Sequence, residues 1–331
     1  LIDQSNGDVQ YKAKGRFSNA NVVCCAWWSV NQLCQILSEH KIELLLINGH
    51  RISDVHAILA ARRLGCPVSY LQQGSHIPFM KRSPAFFLRK LVKTAQYLCY
   101  ALDSAWQLRS LKAFSYLIRI HVFGLPRNVL DGYPAIFPDR AAVFSPYWRQ
   151  WHQNHYRFPQ RTMFETGTPD LRKFKFSEKY PANTVAYCYQ TLLEDGRVSR
   201  EVMFGFYERL LEWAKKNRLA IVLKAHPRGA SENFAWFSAR GIPIEHRSVP
   251  DTEVVIGHYS SLLAYWGMNG RKVFCVELPG HKIPDSLASW ALVVRDLSEI
   301  DLNLRINVDD CRSKFGLPVD RGELLRGLGL A

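Results

Sequence analysis

Three short segments carry residue types suited to transfer chemistry at a phosphorylated leaving group. The first is Leu192-Leu193-Glu194-Asp195-Gly196, where two adjacent carboxylates stand beside a glycine. A carboxylate there can take a proton from an attacking hydroxyl, or itself attack a carbon centre, if its neighbours set its pKa suitably. The same pair would also serve as an acidic cap on the following helix. The second is Lys224-Ala225-His226-Pro227-Arg228. Proline restricts the backbone and so aims the imidazole. Lys224, His226 and Arg228 offer donors to a phosphate, and a histidine can protonate a departing group; a basic surface turn would use the same residues. The third is Gly257-His258-Tyr259-Ser260-Ser261-Leu262-Leu263. Two hydroxyls and the N–H groups of a helix start make an anion site, although plain serine capping accounts for them equally.

Each segment follows an apolar run that reads as a strand: residues 184–190 (TVAYCYQ), 219–224 (LAIVLK) and 252–257 (TEVVIG). Residues 272–277 (KVFCVE) read as a further strand. Between the first two, residues 199–217 place Val202, Phe206, Leu210 and Leu211 at helical spacing. Strands alternating with helices predict a parallel sheet whose loops gather on one edge. The first half holds a similar unit. Residues 42–47 (IELLLI) form a strand that breaks at Asn48-Gly49-His50. A helix through Val55, Ile58, Leu59 and Arg62 ends at Gly65, and residues 67–71 (PVSYL) start the next strand. Ligands collect at the carboxyl ends of such strands, which makes Asn48, His50, Gln73 and Gly74 candidates for the acceptor side. Residues 141–145 (AAVFS) look like a strand leading into an aromatic loop, and a linker is expected over 173–183. The division is an N-terminal domain over 1–172 and a C-terminal domain over 184–331.

Bulk properties narrow the partners. The chain has 331 residues, 47% hydrophobic and 22% charged, with a formal net charge of +14. That is globular composition, sized for two domains, with an attraction for anions. No arginine-rich run or zinc-knuckle spacing is present, so nucleic acid is not expected. Residues 81–120 mix aromatic residues with Lys81, Arg82, Arg89, Lys90, Lys93, Arg109, Lys112 and Arg119. They read either as an interfacial helix pair for an anionic membrane or as helices packed in the first domain with solvated basic faces. The eight cysteines form no C-x-x-C pair and sit mostly in apolar stretches, as in a reducing compartment. No apolar run reaches the roughly 18 residues of a transmembrane helix. A cytoplasmic location is expected, possible membrane contact being peripheral at the inner face. The chain begins at Leu1 and reads as a fragment or a trimmed chain. With no G-x-x-x-x-G-K-[ST] loop and no G-x-G-x-x-G fingerprint, kinase and dehydrogenase chemistry lose support.

Glu194-Asp195-Gly196, then His226-Pro227, then Ser260-Ser261, each after a strand, resemble a motif set of bacterial sialyltransferases and polysialyltransferases. The capsule and lipopolysaccharide Kdo transferases are similar in layout. The stretch INGHRISDVHAILAARRLGCPVSYLQQG also looks like the first domain of such enzymes, so the resemblance spans roughly residues 40 to 290. It implies an α/β GT-B fold, two Rossmann-like domains with parallel sheets facing across a cleft. It further implies transfer of an acidic sugar, sialic acid or Kdo, from a CMP-activated donor to a surface glycan or glycolipid. Carried over, Asp195 is the catalytic base or nucleophile, with Glu194 a second candidate. His226 meets the CMP phosphate and assists its departure, and Ser260 and Ser261 hold it. The first motif departs from the pattern by carrying Glu in its first place. No metal and no cofactor beyond the CMP-sugar substrate are expected. The alternatives are a GT-B transferase using a UDP-sugar or CDP-polyol donor in cell-envelope polymer assembly, and a non-catalytic glycan-binding relic of the fold.

Overall fold

A computed structural model describes residues 2–3, 23–24, 29–49, 51–74, 91–121, 134–177, 179–227 and 229–330. His50, Arg228 and residues 75–90 lie outside the described residues. A short parallel pair, β1 (Ile2–Asp3) with β2 (Val23–Cys24), stands apart from the two main sheets. The N-terminal sheet holds β3 (Leu45–Ile47), β4 (Val68–Leu71), β5 (Arg140–Val143) and β6 (Met163–Glu165), in that order and all parallel. Around it run α1 (Val30–Glu39), α2 (Ile52–Arg63), α3 (Leu91–Gln107), α4 (Leu111–His121) and α5 (Pro146–Tyr156). Helix α2 is buried over most of its length, including His56, whose Nε2 lies 3.0 Å from the Tyr100 carbonyl of α3.

The second sheet is larger. Strand β7 (Phe176–Ser177) lies in the expected linker and pairs with β11 (Val249–Pro250), so that segment is stitched to the C-terminal part. The sheet itself contains β8 (Thr184–Cys188), β9 (Ala220–Lys224), β10 (Ile244–Glu245), β12 (Val254–Gly257), β13 (Lys272–Val276) and β14 (Leu292–Val294). Its order is β10-β9-β8-β12-β13-β14, again all parallel. Strand β8 is buried throughout, as a central parallel strand covered on both faces must be. The helices are α6 (Arg200–Lys216), α7 (Ser231–Ser238), α8 (Leu263–Met268), α9 (Asp285–Ala288), α10 (Val308–Phe315) and α11 (Arg321–Leu328). The fold is α/β with two parallel sheets, as expected of the GT-B plan.

One sequence expectation is corrected. The aromatic stretch after β5 is not a loop: Ser145 is extended at its start, Pro146 occupies the first turn, and Arg157 closes it in the left-handed region at φ 58°. Its buried side is Trp148 and His152, with His152 Nε2 3.0 Å from the Tyr70 hydroxyl. Aromatic side chains replace the aliphatic stripe that usually marks a helix. The end of the chain also packs on the N-terminal sheet. Helix α11 lies against β5, and Ser69 Oγ donates to the Leu328 carbonyl at 2.8 Å. Thr168 Oγ1 donates to Phe315 O and Ser145 Oγ to Lys314 O, each at 2.7 Å. At Gly167, φ is +62° and a Cβ would overlap the Leu317 carbonyl. Only glycine lets the returning chain come that close.

Candidate functional site

The polar loops leave the C-terminal sheet side by side. Cys188 at the end of β8 pairs with Lys224, Tyr187 pairs with Ile256, and Gly257 pairs with Cys275. Adjacent strands lie about 4.8 Å apart, so loops leaving at one level are neighbours. From β8 the chain moves outward through β9 to β10 on one side, while β12, β13 and β14 build the other. The order reverses beside β8, where open α/β sheets bind ligands.

The acidic loop is a single helical turn. Asp195 N donates to Thr191 O at 2.9 Å, Gly196 N to Leu193 O at 3.0 Å and Arg197 N to Leu192 O at 2.8 Å. Gly196 closes the turn at φ +62° with open space around it. Helix α6 has its own cap, Ser199, whose hydroxyl accepts from Val202 N, so the acidic pair does not cap it. Glu194 instead reaches the loop after β9. Its Oε1 accepts from the Tyr189 hydroxyl at 2.7 Å, Ala230 N at 2.9 Å and Asn233 Nδ2 at 3.0 Å. It therefore caps α7 and ties two of the three loops together. Burial raises the pKa of Glu194, but the bonds from Ala230, Tyr189 and Asn233 outweigh it and hold the group below the ordinary carboxylate value. Asp195 has other partners: its half-exposed carboxylate accepts from Thr191 Oγ1 at 3.2 Å and lies 3.8 Å from Arg197 Nε.

In the second loop Lys224 is buried, and its ammonium donates to the carbonyls of His246 at 2.9 Å and Glu245 at 3.4 Å. Burial lowers its pKa. His226 is half-buried, its carbonyl accepting from Gly229 N at 2.9 Å, and Pro227 is exposed. In the third loop His258 is fully buried, with Nδ1 2.8 Å from Val276 O and Nε2 3.2 Å from the Tyr187 hydroxyl. Burial lowers its pKa to about 4, so it is a neutral core group. Gln190 Oε1 accepts from Tyr259 N at 2.8 Å, which joins the first loop to the third. Ser260 Oγ accepts from Leu262 N at 3.2 Å and hydrogen-bonds the Cys188 thiol, which burial pushes up to about 12. Ser261 is half-buried beside it.

The structure also brings in residues that motif spacing missed. Arg197 hydrogen-bonds the Tyr259 side chain, whose pKa burial raises and Arg197 partly restrains. His281 comes from the loop after β13, where Leu278 and His281 form a tight bridge, and its ring meets the Arg197 backbone. Burial lowers the His281 pKa. The rule that loops past strand ends form the site, applied to β13 as well, would have reached His281. On the N-terminal side, Asn48 Nδ2 donates to Gln73 Oε1 at 2.9 Å, linking the ends of β3 and β4. Gly74 has φ +69°, and a Cβ built there would lie 3.6 Å from Ser261 Oγ. The loop after β4 thus comes up against the paired serines. Among the described residues no three His, Cys, Asp or Glu side chains gather as metal ligands.

No family model matches the chain, and no curated protein matches it in sequence. Among solved structures it is similar to the UDP-GlcNAc 2-epimerase of Methanocaldococcus jannaschii in complex with UDP-GlcNAc and UDP. The identity there is 12% and the TM-score 0.49, over 98% of this chain and 90% of that one. It is similar to MurG of Acinetobacter baumannii at 11% identity and TM-score 0.48, over 100% of this chain and 90% of that one. The wall teichoic acid polymerase TagF is similar at 9% identity and TM-score 0.29, over 74% of each chain.

Proposed function

We propose that the chain is a nucleotide-sugar glycosyltransferase that moves an acidic sugar from a CMP-activated donor to a glycan or glycolipid acceptor. One observation carries this reading. The acidic, His-Pro and paired-serine loops leave adjacent strands at a reversal of strand order, and Ser261 stands against Gly74 in the loop after β4. The donor phosphate is assigned to His226, Ser260 and Ser261, with Arg228 beside them in sequence. Fixed donors there stabilise the charge that develops as CMP departs, and the reading needs no metal for that step. Asp195 is assigned the proton-accepting or nucleophilic role, since its carboxylate is half-exposed while that of Glu194 is engaged by three donors. Glu194 positions the His226 loop, and Lys224 stiffens the strand end from which that loop leaves.

A thermal-shift panel of CMP, CDP, UDP and GDP tests the assignment. CMP is expected to stabilise most, and His226→Ala or Ser261→Ala is expected to weaken that effect by ~1.5–3 kcal/mol of binding each. A larger shift with UDP would move the reading to a UDP-sugar enzyme. Unchanged nucleotide binding in both variants would remove these residues from the donor site.

A further inference from the structure

We propose that the outer face of α3, continued into the first turn of α4, docks on an anionic lipid bilayer. This goes beyond the transfer reaction and does not depend on it. Leu91, Ala95, Leu98, Leu102 and Trp106 recur at steps of three and four, which aligns them along one side of a helix. Soluble helices turn such a stripe inward. Here it faces outward: Leu91 is 63% exposed, Leu102 57%, Trp106 81%, and Leu111 at the start of α4 is 89% exposed. The opposite side is already occupied, with Gln96, Tyr100, Ala101, Ser104 and Ala105 buried against the rest of the domain.

Charge identifies the partner. Between residues 94 and 108 the only charged side chain is Asp103, and it is turned inward. Its Oδ2 accepts from Val30 N at 2.7 Å and lies 3.4 Å from His56 Nε2. Just past Trp106 come Arg109 and Lys112, with Arg119 further along α4, all exposed, and no acidic residue occurs from 104 to 130. An apolar stripe ending in tryptophan and rimmed by cations of one sign suits a headgroup region carrying negative charge. A second copy of the chain fits poorly, because a twofold contact would set these cations against each other. Among the described residues no helix is long and apolar enough to cross a membrane, so the contact lies in the surface plane.

Sedimentation of the full chain with vesicles tests this, comparing phosphatidylcholine alone with phosphatidylcholine plus phosphatidylglycerol. Binding to the anionic vesicles at low salt is expected, falling as salt rises. Arg109→Ser and Lys112→Ser should each lower the partition about fivefold. Trp106→Ser combined with Leu111→Ser should lower it about tenfold or more. All four positions are exposed, so equal melting temperatures confirm that the variants fold. Three outcomes overturn the proposal: no binding to anionic vesicles at low salt, binding untouched by the Trp106 and Leu111 changes, or a dimer that these changes dissolve while vesicle binding stays absent.

Discussion

Glu194 provides the sharpest structural prediction, because its two roles separate on substitution. The hydrogen bonds from Tyr189, Ala230 and Asn233 converge on one oxygen, Oε1, and among the described residues Oε2 is buried with no partner from another residue. A hydrogen bond to a charged group contributes about 1.5–3 kcal/mol, but three bonds sharing one acceptor are not additive. Glu194→Ala leaves Ala230 N, the Tyr189 hydroxyl and the Asn233 amide without their acceptor. The expected loss is ~3–5 kcal/mol, tempered by whatever water refills the space. Glu194→Gln keeps an acceptor oxygen and the shape while losing the charge assistance, for roughly 1–2 kcal/mol. Urea unfolding followed by tryptophan fluorescence reads both changes. Sugar transfer by the folded glutamine variant should stay within a few-fold of the parent. An alanine variant that unfolds at the parental midpoint would show that the carboxylate does not tie the loops. A stable but inactive glutamine variant would show that Glu194 acts on substrate.

The buried His258 predicts acid sensitivity. Its pKa is about 4 in the fold against the ordinary 6.5 of histidine, so the unfolded chain takes up the proton first. The stability it contributes is complete above pH 6.5 and is lost as pH falls toward 4, on the order of 3 kcal/mol. Urea midpoints across that range should fall more steeply for the parent than for His258→Gln, and equal slopes would contradict a neutral buried imidazole. For the His-Pro and paired-serine loops, His226→Ala and Ser261→Ala should leave those midpoints near the parent value while nucleotide binding falls. A collapse of the fold in either would make the residue structural.

The strands of the C-terminal sheet were legible because central parallel strands are unbroken apolar runs: residues 184–190, 219–224 and 272–277 contain β8, β9 and β13. Helix α6 was legible from its periodicity, with Ser199 and Asn217 at its ends. Helix α5 was not, since tryptophan, tyrosine and histidine fill it and its burial depends on partners such as Tyr70. The adjacency of the three candidate loops was legible, but the contacts of their side chains were not. Which of Glu194 and Asp195 is tied into the neighbouring loop depends on Ala230 and Asn233, more than thirty residues away in sequence. The charge of Lys224 is visible in the sequence, whereas its bonds to the carbonyls of Glu245 and His246 are not. The return of α10 and α11 to the first sheet was hidden for the same reason: Ser69, Ser145 and Thr168 meet partners at the far end of the chain.

Asp195 is assigned transfer chemistry on a bound nucleotide-sugar. The direct measurement is CMP release from a CMP-activated acidic sugar in the presence of a glycan acceptor, by the parent and by Asp195→Asn, with donor affinity measured in parallel. The aspartate lies half-exposed, next to Thr191 and Arg197, at the edge where His226 and Ser260 also emerge. The substitution keeps its shape and removes its charge. Donor affinity should survive within a few-fold, while release falls by about 10²–10⁴, the usual contribution of a positioned base. Release at the parental rate by a variant that still binds donor would contradict the assignment and remove Asp195 from the chemistry.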